Sequence, residues 1–307
     1  MEKVIVVIGP TSVGKTKMGV ALAKKFNGEV ISGDSMQIYK QMDIGTAKVT
    51  EEEKEGIIHH CVDILNPDET YSVHDFQQTV RKKITEITQR GHVPIIVGGT
   101  GLYIKAALYD YQFDEMENDH HAINEKYKDY TNEQLHDHLK SIDEESAKIL
   151  HFNNRRRVLR AIEIYETTGK RKSEMLEEQE HICLYDAYFV GLTLPRDVLY
   201  ERINKRVDVM MENGLKEEME RLYSQGLTRN HQSMKAIGYK EWFDYYDHQI
   251  DLNDVLELIK KHSRQYAKRQ YTWFKNQFDV HWYDVNLENF EQTIEQVTDD
   301  IEKILAL

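Results

Sequence analysis

Residues 9–16 read GPTSVGKT and directly follow the apolar run KVIVVI. The spacing G-x-x-x-x-G-K-[ST], with a strand before it and a helix after it, is the context in which a glycine-rich loop cradles phosphate. Gly9 and Gly14 let the backbone curl around Pro10, Thr11, Ser12 and Val13 so that its N–H groups point inward. Lys15 places a point charge on the anion, Thr16 offers a hydroxyl to Mg²⁺, and the helix that begins there adds its positive end. The chemistry implied is the binding of a pyrophosphate-sized anion with magnesium. Nothing in the loop specifies a nucleoside.

Two absences weaken an ATPase reading. The run VPIIVGG (93–99) ends in Gly98-Gly99 rather than in the aspartate that often holds a metal's water shell, and no catalytic glutamine or switch motif follows. The run EVISGD does end in an acid. Asp34 stands where the carboxyl ends of a parallel sheet open onto one crevice, so it is expected near the phosphate loop, as a general base or beside the metal's water shell. The alternative is that it caps the turn DSMQIY. MDIGTAK (42–48) suggests a loop lying against an anionic ligand, with a turn glycine as the plainer reading. GGTGLYI (98–104) places three glycines and Thr100 between a strand end and a helix start, where close backbone approach to a ligand or a second strand is expected.

The elements that must position these residues are legible in outline. VIVVI (4–8), EVISGD, VPIIVGG and YFVGLTL (188–194) are buried strands alternating with helices, one of which runs from about Val73 to Arg90 behind the capping pattern SVHD. The fold class expected is α/β, a P-loop-type parallel sheet flanked by helices. Residues 113–145 are very polar and carry two capping patterns, TNEQ and SIDE, which predicts a small all-helical insertion. The catalytic domain then comprises 1–112 and 146–307. VHWYDV (280–285) is expected as an edge strand and the C-terminus as an amphipathic helix with Phe290, Ile294, Val297, Ile301 and Ile304 inward.

With 307 residues, 40% of them hydrophobic, the chain can bury a large core, and no run approaches the ~18 apolar residues of a membrane span. Two cysteines without a CxxC or Cys/His cluster argue against a disulfide framework or structural zinc. The start MEKVIVVIGP reads as a strand rather than a leader, and a cytoplasmic protein is expected. The net charge of −13 counts against a polyanion partner only as an average. Lys260, Lys261, Arg264, Lys268, Arg269 and Lys275 form one stripe without an acid, interleaved with Tyr266, Tyr271 and Trp273. NNRRRVLR supplies Arg155, Arg156, Arg157 and Arg160. Such stripes suit a nucleic-acid backbone with bases stacked nearby; the plain alternative is a solvated helix face.

Taken together, GPTSVGKT, ISGDSMQIYKQMDIGTAK, VGGTGLYI, NNRRRVLRAIEIYETTG, LPRDVLYERINKRVD, SMKAIGYKE and SRQYAKRQYTWFKN resemble the bacterial tRNA dimethylallyltransferases, in the family's order and over most of 1–110 and 150–276. DSMQIYKQMDIGTAK is far more specific than the phosphate loop. The resemblance implies transfer of a five-carbon group from dimethylallyl diphosphate to the exocyclic amine of the adenosine 3′ of a tRNA anticodon. It implies Mg²⁺ held through Thr16, with Asp34 as general base, Thr11 and Thr100 lining the site, and Arg202 and Arg206 clamping the diphosphate. It implies tRNA contact by Ser35, Met36 and Gln37, by Arg156, Arg157 and Arg160, and by Gly238, Tyr239 and Lys240, while Arg264 and Lys268 come from the basic stripe. The helical insertion would cover the anticodon arm, and neither a membrane nor an obligate protein partner is implied. Val49, where proline is common, and Phe152, in place of the proline of HPN, are departures that affect backbone stiffness. The rival reading is a P-loop small-molecule or nucleotide kinase, which leaves the basic helix at 260–275 without a task.

Overall fold

The computed structural model describes residues 1–111, 120–177 and 181–305. Its centre is a six-stranded sheet of β1 (Lys3–Ile8), β2 (Gly28–Ser32), β3 (His59–His60), β4 (Val93–Val97), β5 (Asp186–Thr193) and β6 (His281–Asp284), in the order β3-β2-β4-β1-β5-β6. All pairs are parallel. The alternation along β1 explains its continuous apolar run. Val4, Val6 and Ile8 face a core with Phe76, Ile84 and Phe274, whereas Ile5 and Val7 face one with Met18, Leu22, Val297 and Ile301. A strand covered on both faces has no polar side to show. The edge strand at 281–284 matches the sequence reading. β3 was not expected, because two residues are too few for a hydrophobic period to register.

Two compact units emerge. The first comprises Met1–Tyr109 with Cys183–Leu307 and contains the sheet; the second is Asp110–Ile182. The second is helical among its described residues, but its bounds are wider than 113–145, and 113–119 of that stretch lie outside the described residues. The reason is packing: Val158, Leu159 and Ile162 of the helix Arg155–Thr168 share a core with Leu135 and Leu139 of the helix Asn132–Ile142. Residues 146–182 therefore group with the helical unit and not with the sheet. TNEQ forms the expected capping box, Thr131 accepting from Gln134 N. SIDE does not: Asp143, already the C-terminal neighbour of one helix, caps the next by accepting from Ser146 N. In the C-terminal helix Phe290–Leu305, Leu305 turns inward and Ile304 is exposed, one position away from expectation.

Candidate active site

The glycine loop sits between β1 and the helix Lys15–Lys25. Its conformation requires glycine at two points. A Cβ on Gly9, at φ 144°, would lie 2.6 Å from the Leu192 carbonyl oxygen, and one on Gly14, at φ 108°, 2.8 Å from the Phe290 ring. Gly14 is the N-cap, no side chain caps the helix, and its first turn holds no acid, so the positive end is open to an anion. Lys15 Nζ donates to the carbonyls of Gly9 (3.0 Å) and Pro10 (2.8 Å). Val13 is buried in the core, and therefore offers the loop only its backbone. Thr16 follows Lys15 in the first helical turn.

Asp34 leaves the end of β2 and reaches the loop across β4, because β4 and not β2 is the neighbour of β1. The crossing depends on two glycines in close approach: a Cβ on Gly98 would lie 2.3 Å from the Gly33 backbone. Asp34 Oδ1 accepts from Met36 N at 2.8 Å, so the carboxylate does cap its turn while still lining the crevice. Ser35 N donates to Thr100 Oγ1 (3.1 Å), which in turn donates to Ser35 Oγ (3.3 Å), joining the strand ends of β2 and β4.

Thr11, Ser12, Asp34 and Ser35 with the helix Arg196–Glu212 line one crevice of about 360 Å³, and Thr100, expected to line it, instead stands behind Ser35. Its polar side carries Thr11, Ser12, Asp34, Ser35 and Arg206; Ile203, Val207 and Met210 form an apolar wall one helical stripe wide. Arg202 Nε donates to Ser12 O at 3.0 Å, and Arg206 reaches Thr11 Oγ1 at 3.4 Å and Ser12 Oγ at 3.5 Å. Both arginines therefore stand at the loop. Burial, helped by the nearby Arg206 guanidinium, pushes Lys15 down to about 7 against the pull of Asp34. Burial likewise pushes the Asp34 carboxyl up, opposed by the Met36 N–H and the Lys15 charge. The two groups are close enough for each to act on the other's titration.

Several sequence candidates have internal partners. Gln37 accepts from Ser32 Oγ (3.0 Å) and donates to the carbonyls of Thr46 and Ala47 (3.4 Å each). Tyr239 is fully buried, its hydroxyl bonded to Glu218 at 2.6 Å, whereas Gly238 and Lys240 line the crevice. On the 26-residue helix Leu252–Gln277, Arg264 bonds Asn204 and Lys260 pairs with Asp208 at 2.8 Å; Lys268 is exposed. Two of the interleaved aromatics are packed, Tyr266 donating to Gly99 O and Trp273 filling the space over Gly101, whereas Tyr271 lies against Trp282 but is exposed. In the helical unit Arg156 and Arg157 are exposed, while Arg160 pairs with the buried Glu163 at 2.8 Å and Arg155 binds the carbonyls of Tyr127 and Tyr130.

Two positioning residues escaped the sequence reading. Gln270 is buried; its Oε1 accepts from Thr11 N and its Nε2 donates to Gly99 O, both at 3.0 Å, tying the phosphate loop to the end of β4. Glu218 accepts from the backbone N–H groups of Asp43, Ile44 and Gly45. Neither carries a sequence signal. Gln270 sits among cations in SRQYAKRQYTWFKN, and Glu218 looks like one acid of a charged helix.

A glycine loop opening a helix at the carboxyl edge of an all-parallel sheet flanked by helices, with a part-buried carboxylate facing it, defines an α/β protein with its candidate site at the strand ends. The family model for IPP transferase matches residues 37–277, and the chain belongs to that family. It is 55% identical to a tRNA dimethylallyltransferase of Bacillus cereus over 287 residues, 92% of this chain and 90% of that one. Among solved structures it resembles a tRNA isopentenylpyrophosphate transferase of Staphylococcus epidermidis (47% identity, TM-score 0.74, 99% of both chains). It also resembles a eukaryotic dimethylallyltransferase acting on tRNA (33% identity, TM-score 0.86, 99% of this chain and 79% of that one).

Proposed function

We propose that this protein transfers the dimethylallyl group of dimethylallyl diphosphate to the exocyclic amine of the adenosine 3′ of a tRNA anticodon. The observation that carries this reading is one crevice lined by Thr11, Ser12 and Arg206 of the anion cradle, by the part-buried Asp34 carboxylate, and by an apolar wall of Ile203, Val207 and Met210. The diphosphate lies in the loop from Gly9 to Thr16, under Lys15, Arg202 and Arg206. As the allylic C–O bond breaks, its electron pair goes to the diphosphate oxygen, and the cradle stabilises the charge that develops there. The amine nitrogen forms the new bond to the allylic carbon. Its proton goes to Asp34, whose raised pKa makes it a stronger base than an ordinary carboxylate. The products are prenylated tRNA and diphosphate.

Among the described residues no group of three or more His, Cys, Asp or Glu could cage a metal. Mg²⁺ keeps several waters and takes few protein oxygens beside substrate phosphates, so the Thr16 hydroxyl with Asp34 nearby fits an ion bound chiefly by the diphosphate. There it would supply further charge neutralisation on the leaving group. The adenine must leave the base stack to reach the crevice. Ser35, Met36, Gly238 and Lys240 line its way in, while the exposed Arg156, Arg157 and Lys268 are among the cations placed to contact phosphates. A tRNA substrate is cytoplasmic, and no helix of the described residues is long and apolar enough to cross a membrane.

The test is an incubation with unmodified tRNA, labelled dimethylallyl diphosphate and Mg²⁺, beside a parallel one with ATP. Label enters the tRNA, and Asp34→Ala lowers the rate by roughly 10²–10⁴-fold. Phosphate transfer from ATP without prenylation would sink the assignment.

A further inference from the structure

Two chain segments outside the phosphate loop also line the crevice: Gly45, Thr46 and Ala47 from one, Ala236, Ile237 and Gly238 from the other. Both are tied to a single buried side chain. Glu218, 2% exposed in the first turn of the helix Leu215–Ser224, takes four donors on its carboxylate. Oε2 accepts from Asp43 N and Ile44 N, each at 2.9 Å. Oε1 accepts from Gly45 N at 3.1 Å and from the Tyr239 hydroxyl at 2.6 Å. The segments also meet directly: a Cβ on Gly45 would lie 2.5 Å from the Tyr239 ring, and one on Gly238 3.3 Å from the Gly45 carbonyl oxygen. Other groups clamp what remains of the first segment. Gln37 donates to the carbonyls of Thr46 and Ala47, and Lys48 Nζ holds Asp43 (2.6 Å) and Asp63 (2.5 Å).

From this geometry we infer that Glu218 is a positioning residue for the acceptor nucleotide, setting both segments of the crevice wall against which the extruded adenosine is held. The inference rests on the prenyl-transfer reading above. Four donors and no acceptor face the two oxygens, a demand met by a carboxylate and not by an amide, whose NH₂ would be aimed at N–H donors. None of the four donors belongs to the phosphate loop or to Arg202 and Arg206. Disturbing Glu218 therefore moves the acceptor side and leaves the diphosphate cradle in place. A shift of the order of 1 Å in such a wall costs about 10²-fold in rate.

Glu218→Gln and Gly45→Ala in the full chain test this, with labelled dimethylallyl diphosphate and unmodified tRNA for turnover and inorganic diphosphate with Mg²⁺ for cradle affinity. Gly45→Ala displaces the same wall through the Tyr239 ring with Glu218 intact, and carries the test if Glu218→Gln does not fold. The expected result is a loss of about 10²-fold in kcat/KM for tRNA in either variant, with diphosphate affinity within about twofold of wild type. If diphosphate affinity falls in parallel with turnover, or if turnover is unchanged, Glu218 has no acceptor-specific role. A wild-type protein that puts no label into tRNA overturns the prenyl-transfer assignment and this inference with it. An active wild type beside indifferent variants overturns the role of Glu218 alone.

Discussion

Lys15 and Asp34 are enclosed together, and enclosure acts on them in opposite senses. Burial disfavours charge, so it lowers the ammonium to about 7 and raises the carboxyl. The proposed mechanism needs both charged, Lys15 to hold the diphosphate and Asp34 to accept a proton. Activity therefore disappears as pH falls through the raised pKa of Asp34, at a higher pH than an ordinary carboxylate would set. In the free protein Lys15 loses its proton above about 7, and a bound diphosphate restores it by raising the pKa. Binding above that pH takes up a proton, so affinity weakens as pH rises. We expect kcat/KM for dimethylallyl diphosphate to be bell-shaped, with a descending limb that begins near pH 7. Lys15→Arg keeps a charge that does not titrate in this range and should flatten that limb, whatever it does to the plateau. The diphosphate's own titration is common to both proteins, so an identical descending limb in the variant would show that Lys15 is not its source.

At the scale of elements, the strands and the phosphate loop were legible because their signals are local. An apolar run of strand length and a glycine spacing are complete within a few residues, and both lie where the sequence placed them. The two-residue β3 and the cap by Asp143 depend on neighbours remote in sequence or on competition between adjacent donors. The helix Leu252–Gln277 shows the limit most clearly. Its cations and aromatics stood out, yet Gln270, the residue on it that meets the loop, has no period, charge or motif to mark it. Its role arises only when β1 and β4 become neighbours. Gln270→Leu leaves the Thr11 N–H without its buried acceptor, which costs about 1–3 kcal/mol. We expect a reduced denaturant midpoint and a weakened hold on inorganic diphosphate, since the loop loses its tie to β4. Unchanged diphosphate binding in a destabilised variant would confine Gln270 to the core.

For the whole molecule, a net charge of −13 has to be reconciled with a polyanionic substrate. Counting cations in the sequence overstates the grip, because ion pairing engages some of them internally. Lys260 is paired with Asp208 and Glu257 and Arg160 with Glu163, whereas Arg264 donates to the neutral Asn204 side chain, which orients it without cancelling its charge. Arg156 and Arg157 on the helical unit, and Lys261, Lys268, Arg269 and Lys275 on the long helix, remain exposed. Affinity for tRNA should fall steeply with salt, because each phosphate neutralised releases condensed counterions. Removing an exposed cation should lower the slope of log affinity against log salt by about 1 and weaken all tRNAs alike. Lys268→Ala and Arg157→Ala are expected to behave in this way. Lys260→Ala should leave the slope unchanged and loosen the contact between the helices Arg196–Glu212 and Leu252–Gln277 instead, lowering thermal stability. Titrating binding from low to physiological salt with the three variants separates the two classes. Equal slopes for all three and wild type would mean that the exposed cations are solvated surface, and that the acidic molecule holds its substrate through the crevice alone.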